Sequence, residues 1–251
     1  MIPLVLHQTW ETTAPPAPLD RFRATFAANS PGLDMRLHDA ATRRRLVRQY
    51  RPDFADCFDA IALPVVAADV FRLLIVYEEG GFYADLDVEC YRPIDVFAAT
   101  DKAVFPLEAH LTRQRQGELR YDQPIQIGNF MFGAPPRHPF IGALLDRFMD
   151  RLRQCPVTRR DQVEDATGPR EITRFFYAAR PRDVAVLHQI FWGPPDIYAD
   201  LPILRSRIHC RHRNLGTWKA GDARPSLRRK LIERNKPPNP FPAGLWHDFG
   251  W

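Results

Sequence analysis

Ala68-Asp69-Val70-Phe71-Arg72-Leu73 … Tyr77-Glu78-Glu79-Gly80-Gly81-Phe82-Tyr83-Ala84-Asp85-Leu86-Asp87-Val88 is the stretch of this 251-residue chain that decides its fold. Residues 65–79 are rich in Ala, Leu and Val and predict a helix, with Gly80 in the C-cap position. Gly80-Gly81 stops that helix, and Asp85 and Asp87 follow, one residue apart. On a strand such a pair shares one face, and in a tight turn both carboxylates converge on a point. Carboxylate oxygens suit a hard divalent cation and leave coordination positions free for a diphosphate. An Asp-X-Asp by itself is common, and a solvated acidic turn is the plain alternative. Here apolar Phe82-Tyr83-Ala84 precedes it and Val88 follows, and solvated acidic turns seldom sit between buried strands. The pattern points to chemistry on a nucleotide-activated substrate.

Asp69 and Arg72 are three apart and so share a face of the helix. They read either as an intrahelical ion pair or as a carboxylate acceptor and a fork-shaped donor beside a sugar pocket. In an otherwise apolar helix the pair has to face water or a site.

Outward from this core the chain alternates strand and helix. Residues 2–7 predict a buried first strand, with Trp10 at its carboxyl end, where open α/β sheets hold their ligands and an indole can stack on a base. Residues 12–18 are a Pro-rich loop, 19–28 a helix, 29–32 a turn and 34–38 a second strand. Asp39 N-caps the next helix. Residues 88–91 predict a strand, as do 126–132 and 183–187, and 102–107 is a further apolar run. Residues 110–123 read as a loop or hairpin, and 139–152 and 170–179 as helices. Such alternation indicates a nucleotide-binding α/β sheet. His209 and His212 follow an apolar run at 201–208, and either ring could complete a cation's ligand set. Arginines at 205, 207, 211 and 213 flank them.

The apolar fraction of 45% and charged fraction of 26% are ordinary for a globular chain. No run of residues is apolar enough to span a bilayer, and the first residues carry no basic leader. Four cysteines without metal-type spacing suggest reduced thiols and a cytoplasmic protein. Net charge is +5, and residues 219–251 hold seven Lys/Arg against three Asp/Glu, hence +4 of it. That basic, Pro- and aromatic-rich extension separates from a domain at 1–218. It reads as a lid, a partner contact or a peripheral anchor at the inner face of a membrane. Nucleic acid is not an expected partner, because the charge is confined to one short tail.

Ile2-Pro3 … His7-Gln8-Thr9-Trp10 and the core stretch quoted above resemble the DXD-containing sugar transferases of glycosyltransferase family 32. That family includes fungal α-mannosyltransferases and is similar in layout to the catalytic domains of large glucosylating toxins. Weaker echoes run through 129–140, Thr167-Gly168-Pro169 and His212 … Gly216-Thr217-Trp218. The resemblance implies a GT-A fold, a Rossmann-like mixed central sheet with helices on both faces. It implies a retaining, metal-dependent hexosyltransferase that takes a UDP- or GDP-sugar donor and a glycan or lipid-linked acceptor. By position Trp10, His7, Asp69, Arg72, Asp85 and Asn129 would bind the donor. Asp85, Asp87 and Arg72 would form the catalytic group. Asp87, Asp85 and His212 would hold Mn²⁺ or Mg²⁺. Arg213 and Asn214 depart from the family's usual pattern beside His212. Two other readings compete: a non-catalytic carbohydrate- or nucleotide-binding protein on the same fold, and a phosphohydrolase using Asp85 as nucleophile. The second lacks a long apolar strand before Asp85 and a later acidic pair.

Overall fold

The computed structural model describes residues 1–121, 123–194 and 206–215. Along the chain the larger elements are β1 (Val5–Thr9), α1 (Ala17–Asn29), β2 (Asp34–His38), α2 (Ala40–Tyr50) and α3 (Ala55–Asp59). Then come α4 (Pro64–Glu79), β3 (Gly81–Ala84), β4 (Val88–Cys90), β5 (Ala103–His110), α5 (Arg113–Leu119), β6 (Ile125–Ile127) and β7 (Met131–Ala134). The remainder are α6 (Pro139–Gln154), α7 (Val163–Ala166), α8 (Pro169–Ala179), β8 (Val184–Leu187) and β9 (Cys210–His212).

Seven strands form a mixed sheet in the order β2-β1-β3-β7-β5-β6, with β8 also paired to β5. β1 runs parallel to β2 and β3, while β7 is antiparallel to both β3 and β5. Alternation along β3 splits its side chains between two cores. Tyr83 joins Phe71, Phe105, Phe132 and the apolar faces of α4 and α6 on one side of the sheet. Phe82 and Ala84 meet Leu6, Phe26 of α1 and Trp192 on the other. The expected mixed sheet with helices on both faces is therefore present.

The carboxyl ends of the three parallel strands β1, β2 and β3 lie side by side, and Trp10, Asp39 and Asp85 leave from them. Asp39 caps α2, its side chain accepting from Thr42 N–H at 2.7 Å. α4 runs to Glu79 and stops at Gly80, whose φ of 71° favours glycine.

Three expectations need adjusting. The first strand occupies Val5–Thr9, starting and ending later than residues 2–7. The strand expected at 126–132 is two, β6 and β7, interrupted at Gly128-Asn129-Phe130. A Cβ on Gly128 would sit 2.9 Å from the Phe130 ring, so this residue lets the chain fold tightly back. Residues 110–123 are not all loop: Thr112 accepts from Arg115 N–H at 3.2 Å and opens α5. β4 leaves the main sheet and pairs with β9 in a separate two-stranded ribbon. The extension at 219–251 lies outside the described residues, as do Arg205 and Gly216-Thr217-Trp218.

Candidate active site

Asp69 and Arg72 share a face of α4, as their spacing requires, and both are buried, at 3% and 5% exposure. The pair does not face water. The Arg72 guanidinium lies 3.0 Å from Asp69 Oδ1 and 3.5 Å from Asp85 Oδ1. It also donates to the Asn129 carbonyl at 2.7 Å and stands over the Tyr83 ring, 4.8 Å from its centre. Asp69 accepts from Asn129 Nδ2 at 3.2 Å and from Thr167 Oγ at 2.8 Å. Tyr83 O–H donates to Asp85 Oδ1 at 2.8 Å. Burial pushes the Asp69 carboxyl up to about 6, against the pull of Arg72 and Thr167. Burial also raises Asp85, with Arg72 opposing it and the Asp87 charge adding to it.

The second carboxylate is held differently. One residue beyond Asp87, Val88 pairs across the ribbon with His212, so β9 delivers the imidazole to the Asp-X-Asp turn. His212 Nε2 lies 3.2 Å from Asp87 Oδ1, and Leu215 N–H donates to Oδ2 at 2.9 Å. The imidazole stacks on Phe130, ring centres 4.4 Å apart. For Asp87, burial works against ionisation, yet the His212 hydrogen bond and charge outweigh it and hold the carboxyl below its ordinary range. His212 is the mirror case: burial disfavours its charge, and Asp87 and Asp85 more than restore it.

One donor atom each from Asp85, Asp87 and His212 lie within 4.8 Å of one another. Two carboxylates and an imidazole are a donor set that fits Mn²⁺ or Mg²⁺, being hard oxygens with one nitrogen. Among the described residues this is the group of such side chains that could hold a cation. His209, the other candidate, is turned away: its Nδ1 meets the Pro93 carbonyl at 2.6 Å and its ring packs on Phe97.

Of the remaining expected site residues, Asn129 joins the cluster through both its side chain and its carbonyl. Trp10 is half-buried just past β1. Buried Arg43 on α2 donates to the Trp10 carbonyl at 2.9 Å and to Thr9 Oγ at 2.6 Å, fixing that turn. His7 has to be corrected. It is fully buried, with one ring nitrogen 3.1 Å from the Gly80 carbonyl and the other 3.0 Å from His38. Both nitrogens are spent inside the fold, so His7 braces the Gly80 turn and does not reach a donor. Sequence reasoning missed Tyr83 and Phe130. Tyr83 carried a signal: it falls on the opposite face of β3 from Phe82, the face that α4 covers.

Residues 8–104 match the family described as "Glycosyltransferase sugar-binding region containing DXD motif". Inositol phosphoceramide mannosyltransferase 2 of Schizosaccharomyces pombe is 27% identical over 82% of this chain and 53% of its own length. Mannosyl phosphorylinositol ceramide synthase SUR1 of Saccharomyces cerevisiae is 29% identical over 56% of this chain and 33% of its own. The chain thus spans about half the length, or less, of these curated relatives. Among solved structures, the PaToxG glycosyltransferase superposes with a TM-score of 0.52 over 71% of this chain and 70% of that one, at 16% identity. The fold is that of the GT-A class. Residues 8–104 carry the DXD-containing sugar-binding region of glycosyltransferases, and the chain is similar to fungal mannosyltransferases.

These relatives overturn the cytoplasmic expectation. Several are named for joining mannose to inositol phosphoceramide, a lipid. Unpaired cysteines and the look of the first residues do not outweigh that. Among the described residues no helix is long and apolar enough to cross a membrane.

Proposed function

We propose that this chain transfers a hexose, with retention at the anomeric carbon, from a nucleotide-diphosphate donor to a hydroxyl of a glycan or lipid-linked acceptor. The observation that carries the reading is the convergence of Asp85, Asp87 and His212 at the carboxyl end of the parallel strands, directly in front of the Asp69–Arg72 pair. Asp87 and His212, with Asp85 beside them, would hold Mn²⁺ or Mg²⁺. A cation bound there supplies positive charge where the departing diphosphate gathers its negative charge.

The side chains divide the remaining work. Arg72 neutralises buried Asp69 and orients half-buried Asp85, which offers its carboxylate to the sugar hydroxyls in a fixed position. Trp10, on its Arg43-anchored turn, offers an indole face to the base. Phe130 keeps the His212 ring in plane. None of these carboxylates takes the nucleophile's role of retaining glycosidases in this reading, Asp69 and Asp85 being paired with Arg72 and Asp87 with His212. The reaction therefore runs on one face. The anomeric C–O bond to phosphate breaks as the bond to the acceptor oxygen forms, and the acceptor proton passes to the leaving phosphate.

Mannose donors and an inositol-phosphate lipid acceptor are the first substrates to test, because relatives are named for that pair. The domain comprises residues 1–218 in this reading, and 219–251 is a basic contact to an anionic membrane surface. Release of free nucleotide is measured across UDP- and GDP-sugars, with Mn²⁺ or EDTA, in wild type and Asp87→Ala. Metal-dependent release from one donor, lost in the variant, supports the reading. No release and no donor binding by calorimetry favour a non-catalytic binding protein. A trapped glycosyl-enzyme would sink the single-face mechanism. Unchanged sedimentation with anionic vesicles after deletion of 225–251 would remove the membrane role.

A further inference from the structure

Cys90 and Cys210 are direct partners across the β4–β9 ribbon, at its end away from His212. Both are buried, at 1% and 0% exposure, and both are unpaired. The hydrogen-bond pattern shows which kind of cross-strand pair they make. Tyr91 N–H donates to the His209 carbonyl at 2.8 Å, and Arg213 N–H to the Asp87 carbonyl at 2.9 Å. The bonded positions of the ladder are therefore 91 with 209 and 87 with 213, and, by alternation, 89 with 211.

The Cys90 and Cys210 backbones point the other way. Cys90 N–H donates to Thr25 Oγ at 2.8 Å, and its carbonyl accepts from Asn29 Nδ2 at 3.0 Å, both on α1. Cys210 N–H donates to the Phe191 carbonyl at 3.0 Å, and its own carbonyl accepts from Gly193 N–H at 3.1 Å. Cys90 and Cys210 thus form a non-hydrogen-bonded pair, the closer of the two kinds, with Cα atoms about 4.5 Å apart. That separation lies inside the range a disulfide spans, about 4.4–6.8 Å between Cα atoms. The side chains point into the same buried layer, with Phe97 and Trp192 in the same core.

From this register we infer that Cys90 and Cys210 are a modification site: the two thiols close a cross-strand disulfide that staples β9 to β4. The reagent class is a small-molecule disulfide. One cysteine thiolate attacks it, forming a mixed disulfide and releasing one small thiol. The second cysteine thiolate then attacks the protein sulfur of that mixed disulfide and releases the other small thiol. Two protein thiols lose two electrons and their protons, and one reagent disulfide becomes two thiols.

The position gives the bond its consequence. β9 is three residues long, and it is the strand that brings His212 to Asp87. A covalent link at Cys210 holds that strand in place whatever the ladder does. Burial sets the rate, since the thiols meet the reagent when β9 lifts from β4. The inference does not depend on the proposed transferase activity.

The test uses the full chain, in wild type and in Cys57→Ser/Cys155→Ser, incubated natively with oxidised glutathione. Remaining thiols are then alkylated and peptides mapped by mass spectrometry without reduction. The expected result is a linked peptide pair joining Cys90 to Cys210, formed in both proteins and abolished by dithiothreitol. Proteolysis within residues 206–215 should slow at least several-fold in the oxidised form. Full alkylation of Cys90 and Cys210 in unfolded chain after prolonged oxidation overturns the inference. So does a stable glutathione adduct on either cysteine with no linked pair.

Discussion

Arg72 stands between two carboxylates from different parts of the chain, 3.0 Å from Asp69 on its own helix and 3.5 Å from Asp85 beyond β3. One buried cation thus compensates the helix carboxylate and the first carboxylate of the Asp-X-Asp turn together. Its remaining donors hold the Asn129 carbonyl, and its plane covers Tyr83. Removing it would strand buried Asp69 and half-buried Asp85 beside an unpartnered carbonyl.

Arg72→Met should therefore destabilise the protein by about 3–5 kcal/mol, the usual consequence of breaking a buried ion pair from one side. Arg72→Lys keeps the charge but not the fork, and should recover less than half of that loss. Urea unfolding of the two variants checks this. Full recovery by lysine would show that charge alone matters and that the fork to Asn129 does not.

The Asp87–His212 contact depends on the β4–β9 ribbon, so the two residues should fail together as a cation site. Asp87→Asn and His212→Ala are each expected to weaken Mn²⁺ binding and to lower nucleotide release roughly a hundredfold or more. The double variant should be little worse than either single one, because the two act as a unit. Calorimetric Mn²⁺ titration, with circular dichroism to verify the fold, provides the check. Undiminished Mn²⁺ affinity in both variants would remove the site.

Much of this arrangement is legible in the amino-acid sequence alone. Residues 65–88 announce a helix, its glycine stop and two spaced carboxylates, because local propensity and spacing agree there. The Asp39 cap follows from residue type alone. What stays hidden depends on long-range pairing. Nothing local says that β4 leaves the main sheet for a strand more than a hundred residues away, which is what decides His212 over His209. His7 misleads for a related reason. A polar residue near the end of a first strand looks available until His38, on the neighbouring strand, is seen to occupy it. The break at Gly128-Asn129-Phe130 is obscured because apolar residues flank it on both sides.

The His7–His38 pair makes stability depend on acid. The Gly80 carbonyl can only accept, so His7 Nε2 carries the proton and His7 Nδ1 accepts from His38 Nε2–H. Burial, and then the His38 charge, hold His7 down at about 3. Burial, and then Arg36, hold His38 at about 4. Both folded-state values lie below the unfolded value of 6.5, so the unfolded chain binds more protons in the window between them. Stability is complete above pH 6.5 and declines as the pH falls towards 4, by up to about 1.4 kcal/mol per pH unit for each histidine. Urea unfolding at pH 7 and pH 5 should show the decline, and His38→Gln should make it shallower, by roughly half, leaving the share of His7. An equally steep decline in His38→Gln would place its cause elsewhere.

Gly81 sets how closely β3 approaches β1, and with it the seat of the Asp-X-Asp turn. Its φ is +95°, and a Cβ there would lie 2.7 Å from the Val5 carbonyl oxygen and 3.1 Å from the Val5 Cβ. Backbone atoms of a central strand cannot swing aside as a flexible side chain can. Gly81→Ala therefore combines an unfavourable φ with a clash between two parallel strands, and is expected to lower stability by about 2 kcal/mol or more. Gly32 is the control: a Cβ there meets nothing within 4 Å. Gly32→Ala should stay within about 0.5 kcal/mol of wild type. The parallel strands deliver Trp10 and Asp85 to the same end of the sheet, so Gly81→Ala should also weaken donor binding at temperatures where it remains folded. Equal unfolding midpoints for the two alanine variants would show that β1 and β3 can separate freely, and that the close approach at Gly81 does not position the site.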